Sequence, residues 1–540
     1  MDSGKRLRYD TTICVQTSLV YFLLCIIAVA VYRLALHPLA RHPGPLFARI
    51  SAIPNWYHAK RGDRHEWLHK MHTQYGTIVR FTPNSISFNT PSALESIYKS
   101  RKANIIKSDW YQCVRDSAGG FESTFTARDK ARHGVKRRLL SHAFSDKALR
   151  EYEPRICQKI SSWLDYLEAE AEAKNGTVDL GEWCNFLIFD ILGDLAFGAS
   201  FGFTAKEEDR SIVGLVPRAT GGWYSVSTRS TDPTAQSPRL TSQLGYHPLT
   251  KWWRHILFKT PLGSLLGGRS YRDNARLRSF CLGKLKSRAT SKKTATISGQ
   301  ENKGCDMFEH LLSGRDPETG ESYSLGDLAC ENVLLMVAGS QSTAGALSAI
   351  FFYLAHHPGK LTRLRNEIHQ AFDSENAIRY SADSKLSGLS YLRACIDEAM
   401  RLSPPTPGHL PREILEKEGS VIDGCWFPPQ TKVGIAPYAL HRNALYFSQP
   451  LSFHPERWTE EHEGREMQPS AFAPFSAGAT GCVGQKLAMM ELSLVVAQLL
   501  WRFDLSLALH GGDGPVEYRM RDCFIGAGEG PRLQLIQSHP

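Results

Sequence analysis

Residues 474–484 read Pro474-Phe475-Ser476-Ala477-Gly478-Ala479-Thr480-Gly481-Cys482-Val483-Gly484, and an apolar, helix-like run follows from Gln485 to Leu500. A cysteine just ahead of a helix start meets the positive end of the helix dipole and free backbone N–H groups. Both favour the thiolate, the form that ligates metals or attacks electrophiles. Gly478, Gly481 and Gly484 allow backbone to approach a flat or bulky group closely. Alone this is weak evidence, because a cysteine in a turn is more often a small buried hydrophobe.

Working outward, the 540 residues are 42% apolar and 22% charged, an ordinary globular balance with ample material for a large core. The net charge of +10 is spread along the chain. It suits an anionic membrane surface or an acidic protein partner, and no nucleic-acid-binding motif accompanies it. Twelve cysteines lie scattered without a Cys-x-x-Cys. That argues against a disulfide framework and a structural zinc site, and for a reducing compartment.

Ile13 to Leu36 is mostly apolar, with its first charge at Arg33. About twenty such residues span a bilayer. The run is long for a cleaved signal and no small-residue cleavage site follows, so residues 1–36 read as a segment with a retained anchor. Lys5, Arg6 and Arg8 before it and Arg33, Arg41 and Arg49 after it leave the charge rule undecided on orientation. Pro38, Pro43 and Pro45 make residues 37–54 a stiff hinge.

Beyond the hinge, Thr77 to Phe88 reads as two short strands around Pro83-Asn84, and 101–126 as a long loop. Arg128 to Phe144 reads as a basic helix in which His133 and Arg137 share one face. A solvated face is the ordinary reading; a grip on an anionic group is the sharper one. Trp183 to Phe203 reads as core. The 220–268 stretch, with Trp252-Trp253, reads as a lid or a surface-lying segment, and 284–293 as an exposed connection. A helix capped at Ser324 runs to Leu354. Inside it, Gly339 and the polar run Ser340-Gln341-Ser342-Thr343 conflict with the apolar pattern and point to a functional kink. Glu398 and Arg401 lie three apart on a later helix. No repeat or linker divides 55–540, so the expected class is mainly α with a smaller β region, in one large domain.

In this order the pieces resemble the cytochrome P450 family, the haem-thiolate monooxygenases, and within it fungal microsomal members used in secondary metabolism. Phe475-x-x-Gly478-x-x-x-Cys482-x-Gly484 is similar to the family's haem-binding loop, which implies Cys482 as proximal iron ligand and haem b as cofactor. Thiolate ligation favours O–O cleavage. Glu398-x-x-Arg401 and Arg457 resemble the family's buried structural cluster, while His133, Arg137 and Arg412 fall at propionate-binding positions. Ala338 to Thr343 resembles the oxygen-binding turn. There Gln341 stands at the acid position and Ser342 at the threonine position, followed by Thr343. Gln341 cannot titrate and could only order water; Ser342 keeps a hydroxyl. Thr480 stands where the family usually has a basic residue.

The resemblance implies a monooxygenase that receives electrons from NADPH through a flavoprotein reductase and oxidises a small lipophilic substrate. By the same resemblance, substrate walls come from 101–125, 216–268, 336–343 and 405–411. It further implies an endoplasmic-reticulum anchor with a cytosolic body, so that the Asn175-Gly-Thr sequon stays unmodified. The basic face at 128–138 is a candidate reductase dock. The altered pair at 341–342 also motivates an oxygen-independent isomerase or dehydratase, and Thr480 a haem-binding protein without turnover.

Overall fold

A computed structural model describes residues 3–100, 104–117, 121–230, 268–297, 306–380, 385–415, 418–459, 467–508 and 517–538. The Trp252-Trp253 lid or surface segment lies outside these residues.

The helix Ser3–Val31 continues into a π-helical turn, Tyr32–Leu36, and from Ile13 onward most of its large apolar side chains are exposed. Residues Ile13–Leu36 are long and apolar enough to cross a membrane, with only 6% of the most apolar window buried. The hinge that follows is tied to the body: buried Arg80 donates through Nη1 to the Arg33 carbonyl at 2.8 Å, and Arg49 donates to the carbonyls of Leu34 and Ala40.

The strands are β1 (Ile78–Thr82), β2 (Ser85–Phe88), β3 (Ile105–Lys107), β4 (Thr177–Asp179), β5 (Arg412–Ile414), β6 (Ser420–Ile422), β7 (Cys425–Phe427), β8 (Lys432–Ile435), β9 (Phe503–Leu507), β10 (Met520–Cys523), β11 (Ile525–Gly528) and β12 (Arg532–Gln537). The largest sheet runs β1-β2-β8-β5-β3, with β2 and β8 parallel and its other pairs antiparallel. The hairpin expected around Pro83-Asn84 is β1–β2. By contrast, the loop expected over 101–126 contains β3 and the helix Trp110–Ser117. That helix is short, and its period is carried only by Trp110, Tyr111 and Val114, which are buried.

Helices form the bulk of the body. Leu180–Phe197, nearly all apolar, packs along the long helix Leu325–Ala355. One hydrophobic core takes in both, together with Ser390–Leu402 and Gln485–Arg502. A helix apolar all round belongs inside a large core. The 284–293 stretch, expected as an exposed connection, is part of a helix, Gly268–Ile297.

Ser324 caps the long helix, its side chain accepting from the Asp327 N–H at 3.1 Å. The α-helical span is unbroken over 325–355. The hydroxyls are satisfied locally, Ser340 donating to the Met336 carbonyl and Ser342 to that of Ala338. Such i−4 bonds remove the conflict that polar residues pose within a helix. Gly339 has a packing reason, since a Cβ there would lie 3.0 Å from Leu192 Cδ1.

Candidate active site

The cysteine loop is built around one glycine. Gly478 has φ +66°, and a Cβ there would lie 2.1 Å from the Tyr98 carbonyl oxygen. A side chain is therefore excluded on conformational and steric grounds. A short 3-10 turn, Gly478–Thr480, follows, and the Cys482 N–H donates to the Phe475 carbonyl at 2.9 Å. Cys482 thus sits at the end of a closed loop, three residues ahead of the helix Gln485–Arg502.

The loop is held from behind. Arg401 gives Nε and Nη2 to the two Glu398 oxygens at 2.8 and 2.9 Å, and Arg457 Nε gives to Glu398 Oε1 at 3.1 Å. All three side chains are fully buried, so the pair is not the surface contact of modest worth that spacing alone allows. Arg401 also binds the carbonyls of His441, Pro450 and Ser452. In turn, His441 Nε2 accepts from the Ala473 N–H at 3.0 Å. Burial, with Arg401 and Arg442 nearby, lowers the His441 pKa to about 3, so the ring is neutral and can accept. The cluster is thereby connected to the cysteine loop through one histidine.

A cavity of about 300 Å³ opens in front of Cys482. One wall is the long helix, through Ala338, Gly339, Ser342, Thr343 and Ala346; another is the loop itself, including Phe475, Thr480 and Gly481. Cys482 lines this cavity and keeps exposed surface. Burial pushes its thiol up, while the Gly484 N–H and the Arg137 guanidinium pull the other way.

Cations gather at one side. His133, Arg137, Arg412 and Lys107 all line the cavity. Arg137 Nη1 donates to the Gly481 carbonyl at 2.6 Å; Arg412 donates to Tyr111 Oη at 2.8 Å and Thr480 Oγ1 at 2.9 Å. Burial together with Lys107, Arg137 and Arg412 brings the His133 pKa down to about 3. Among the described residues, none of these groups forms an ion pair with a carboxylate. Two buried cations, Lys107 and Arg412, and the half-buried Arg137 facing a cavity fit a dianionic ligand, and an open thiol fits a metal at its centre. The residues present therefore suit a metalloporphyrin bearing two carboxylates.

The profile of the cytochrome P450 family matches residues 43–520. The chain belongs to the cytochrome P450 family. Cytochrome P450 monooxygenase poxM of Penicillium oxalicum is 34% identical over 96% of this chain and 94% of its own length. Cytochrome P450 monooxygenase fscF of Fusarium equiseti is 32% identical over 94% of each, and atnE of Emericella nidulans, of the same description, 30% identical over 94% and 93%. Haem is the cofactor of this family, and haem-thiolate monooxygenation its chemistry.

In this cytochrome P450, the sequence-predicted residues separate into two groups. Cys482, Phe475, His133, Arg137, Arg412, Ser342 and Thr343 line one cavity, and Gly478 shapes the loop that bounds it. Gln341 does not line it: its side chain is buried behind the helix face, and its Oε1 has no hydrogen-bond partner among the described residues. Among the cavity residues that the sequence reading did not name are Lys107, at the end of β3, and Glu491. Glu491, on the helix after Cys482, is buried and bonded to Thr343, and burial raises its pKa to about 8. Both belong to segments whose burial only the tertiary structure reveals.

The basic helix Lys130–His142 is less free than its sequence suggests. Arg132 and Lys136 pair with Asp327, Arg138 with Asp316 and Glu318, and Arg128, just before the helix, with Glu413. These charges tie the helix to its neighbours and leave little of the expected docking face.

Proposed function

We propose that this cytochrome P450 inserts one oxygen atom from O2 into a small lipophilic intermediate of secondary metabolism, with electrons from NADPH through a flavoprotein reductase. Cys482 opening onto a deep cavity, opposite the hydroxyl-bearing face of the long helix, carries the reading. Haem b would be held by Cys482 at the metal and by His133, Arg137 and Arg412 at its carboxylates, with Phe475 and Gly478 shaping the loop. When bound, that group supplies oxygen activation and the oxidising equivalent.

The chain's own residues supply the setting. Leu94, Leu140, Leu192, Leu335, Phe125 and Phe524 give the cavity a largely apolar lining that excludes water and suits an apolar substrate. Ser342 and Thr343 bring hydroxyls to the lining. Ser342 now donates to the Ala338 carbonyl. Rotation of its hydroxyl would release that proton for donation into the cavity, leaving the carbonyl in its helical bond. Gln341 cannot supply protons, so its role is to order water behind Ser342. A retained hydroxyl at 342 favours oxygen chemistry over isomerisation. The N-terminal helix would anchor the body on the cytosolic side of the endoplasmic reticulum.

The test is spectroscopic. Reduced full-length protein under carbon monoxide should show the red-shifted thiolate–carbonyl band, and Cys482→Ser should lose it. Absence of the band from the parent protein overturns the assignment of Cys482. Product formed from labelled O2 without label uptake would overturn monooxygenation.

A further inference from the structure

Resting on the monooxygenase reading, we propose that the substrate is an apolar molecule bearing a carboxylate, and that Arg278 and Asn274 hold this group. A second, mostly apolar cavity adjoins the one in front of Cys482 and shares Phe125, Ala338 and Phe524 with it. Ala338 lies one turn before Ser342, so a molecule spanning both cavities passes the hydroxyl-bearing face of the long helix. Among the described residues that line the second cavity, Arg278 alone is charged. It belongs to the helix Gly268–Ile297, where Asn274, Arg278 and Leu282 follow at steps of four and all reach the cavity. Residues four apart share one helix face. A face turned to an apolar cavity calls for apolar residues, and of these three only Leu282 is one.

The protein itself uses neither polar side chain. Asn274 and Arg278 are half-buried, and among the described residues neither has a hydrogen-bond or ion-pair partner. The carboxylates of the surrounding elements are committed elsewhere. Asp273 pairs with Arg218, Asp327 with Arg132 and Lys136, and Glu331 accepts from the N–H and hydroxyl of Thr124. Arg278 nevertheless stands beside the long helix: burial raises the Cys330 thiol to about 11, and Arg278 opposes that rise. A guanidinium forks onto a carboxylate through two parallel bonds, and an amide N–H one turn away can add another. One cation matches a monoanion, whereas a phosphate dianion would carry an uncompensated charge among apolar walls. Held there, the carboxylate end stays in the second cavity while the apolar remainder extends past Phe125 and Phe524 toward Ser342. The substrate is then oxidised at a carbon remote from its acid group.

Two other roles are open to this arginine: a solvated side chain at the cavity rim, or a purely structural one. Acids and their esters separate them. Full-length parent, Arg278→Gln, Arg278→Lys and Asn274→Leu are dialysed in one detergent against octanoic, dodecanoic and hexadecanoic acids and their methyl esters near neutral pH. For each ligand, every variant is compared with the parent. Arg278→Gln should weaken binding of the acids by about 10–100-fold, the worth of a charge-assisted bond, and leave the esters unchanged. Arg278→Lys should lose less, because an ammonium keeps the charge without the fork, and it maintains the comparison if the glutamine variant does not fold. Asn274→Leu should weaken the acids by a smaller factor. Unchanged acid binding in Arg278→Gln, the result for a solvated arginine, overturns the proposal. Equal weakening of acids and esters, the result for a structural one, does so too, as does a parent that binds none of the acids. The thiolate–carbonyl band is recorded on the same preparations. Its absence from the parent removes the haem-thiolate reading, while dialysis reports on Arg278 independently of it.

Discussion

Glu398 takes both Nε and Nη2 of Arg401, at 2.8 and 2.9 Å, in a place where neither side chain has any exposure. Arg457, Trp458 and the His454 N–H complete its shell. Burial alone would raise this carboxyl, but Arg401 and Arg457 outweigh it and hold it below 4.5. Glu398→Gln keeps the shape and strands two cations, a loss of about 3–5 kcal/mol. Because the folded pKa is depressed, the wild-type contribution is complete above 4.5 and disappears as pH falls through the folded value. Acid unfolding monitored by circular dichroism should therefore be flatter below pH 4.5 in the variant than in the parent, with the variant less stable at pH 7.

Glu491 titrates in the opposite sense. Its pKa is raised from 4.5 to about 8 by burial, so the folded state keeps a proton that the unfolded state releases. Stability then falls as pH rises between these values, by up to about 1.4 kcal/mol per unit from this group. Glu491→Gln carries no such charge. Denaturation midpoints should differ little at pH 5 and favour the variant at pH 8.5; equal pH profiles would show that the carboxylate finds a partner when ionised.

What sequence revealed and what it hid follow from the range of the interactions. The cysteine loop and the Glu398-x-x-Arg401 pair are local patterns, and their residues meet as the spacing implies. Lys107, Thr480 and Arg412 are far apart in the chain: the β3–β5 register brings Lys107 to Arg412, and packing of the cysteine loop brings Thr480 to Arg412. The polar run at 339–343 has local solutions that the sequence did not show, Leu192 against Gly339 and the i−4 carbonyls for the hydroxyls. Burial of Glu398 was implied by the family resemblance, whereas pairing of the basic helix with Asp316, Asp327 and Glu413 was invisible, since exposure is a property of the assembled layers.

Phe524 divides the interior. It stands in the turn between β10 and β11 with φ 77°, unfavourable for a bulky residue, and packs on Trp110 and Phe125 at ring separations of 5.3 and 5.4 Å. A second apolar cavity of about 240 Å³ shares Phe125, Ala338, Phe524 and Ile525 with the first. Phe524→Ala should join them and tighten binding of larger apolar ligands, read from the haem spectral shift. Phe524→Gly should be no less stable than Phe524→Ala, because relief of about 1 kcal/mol of backbone strain offsets the usual glycine penalty.

Where the anchor is cut should matter. The Arg33 carbonyl accepts from buried Arg80, and the Leu34 carbonyl from Arg49. Removing residues 1–31 leaves both bonds, whereas removing 1–36 orphans Arg80 Nη1. The longer truncation should lose about 1–3 kcal/mol relative to the shorter. Thermal melts of the two in the same detergent provide the comparison, and flotation with vesicles shows whether either keeps its membrane association.

Proton delivery is the step that residues 341 and 342 put to the test. Ser342 lines the cavity and Gln341 lies behind it, with an amide oxygen that has no protein partner among the described residues. A buried carbonyl oxygen in that state favours a bound water. Ser342→Ala removes the hydroxyl from the cavity and should lower product formed per NADPH by about 10–100-fold, with peroxide rising in step. Gln341→Asp introduces a titratable group at the same depth, and coupling should then acquire a pH dependence that the parent lacks. Gln341→Leu removes the water's partner and should lower coupling without one. Unchanged coupling in all three variants would move the proton route away from this helix, leaving Thr343 and its bond to Glu491 as the remaining hydroxyl–carboxyl pair on the cavity wall.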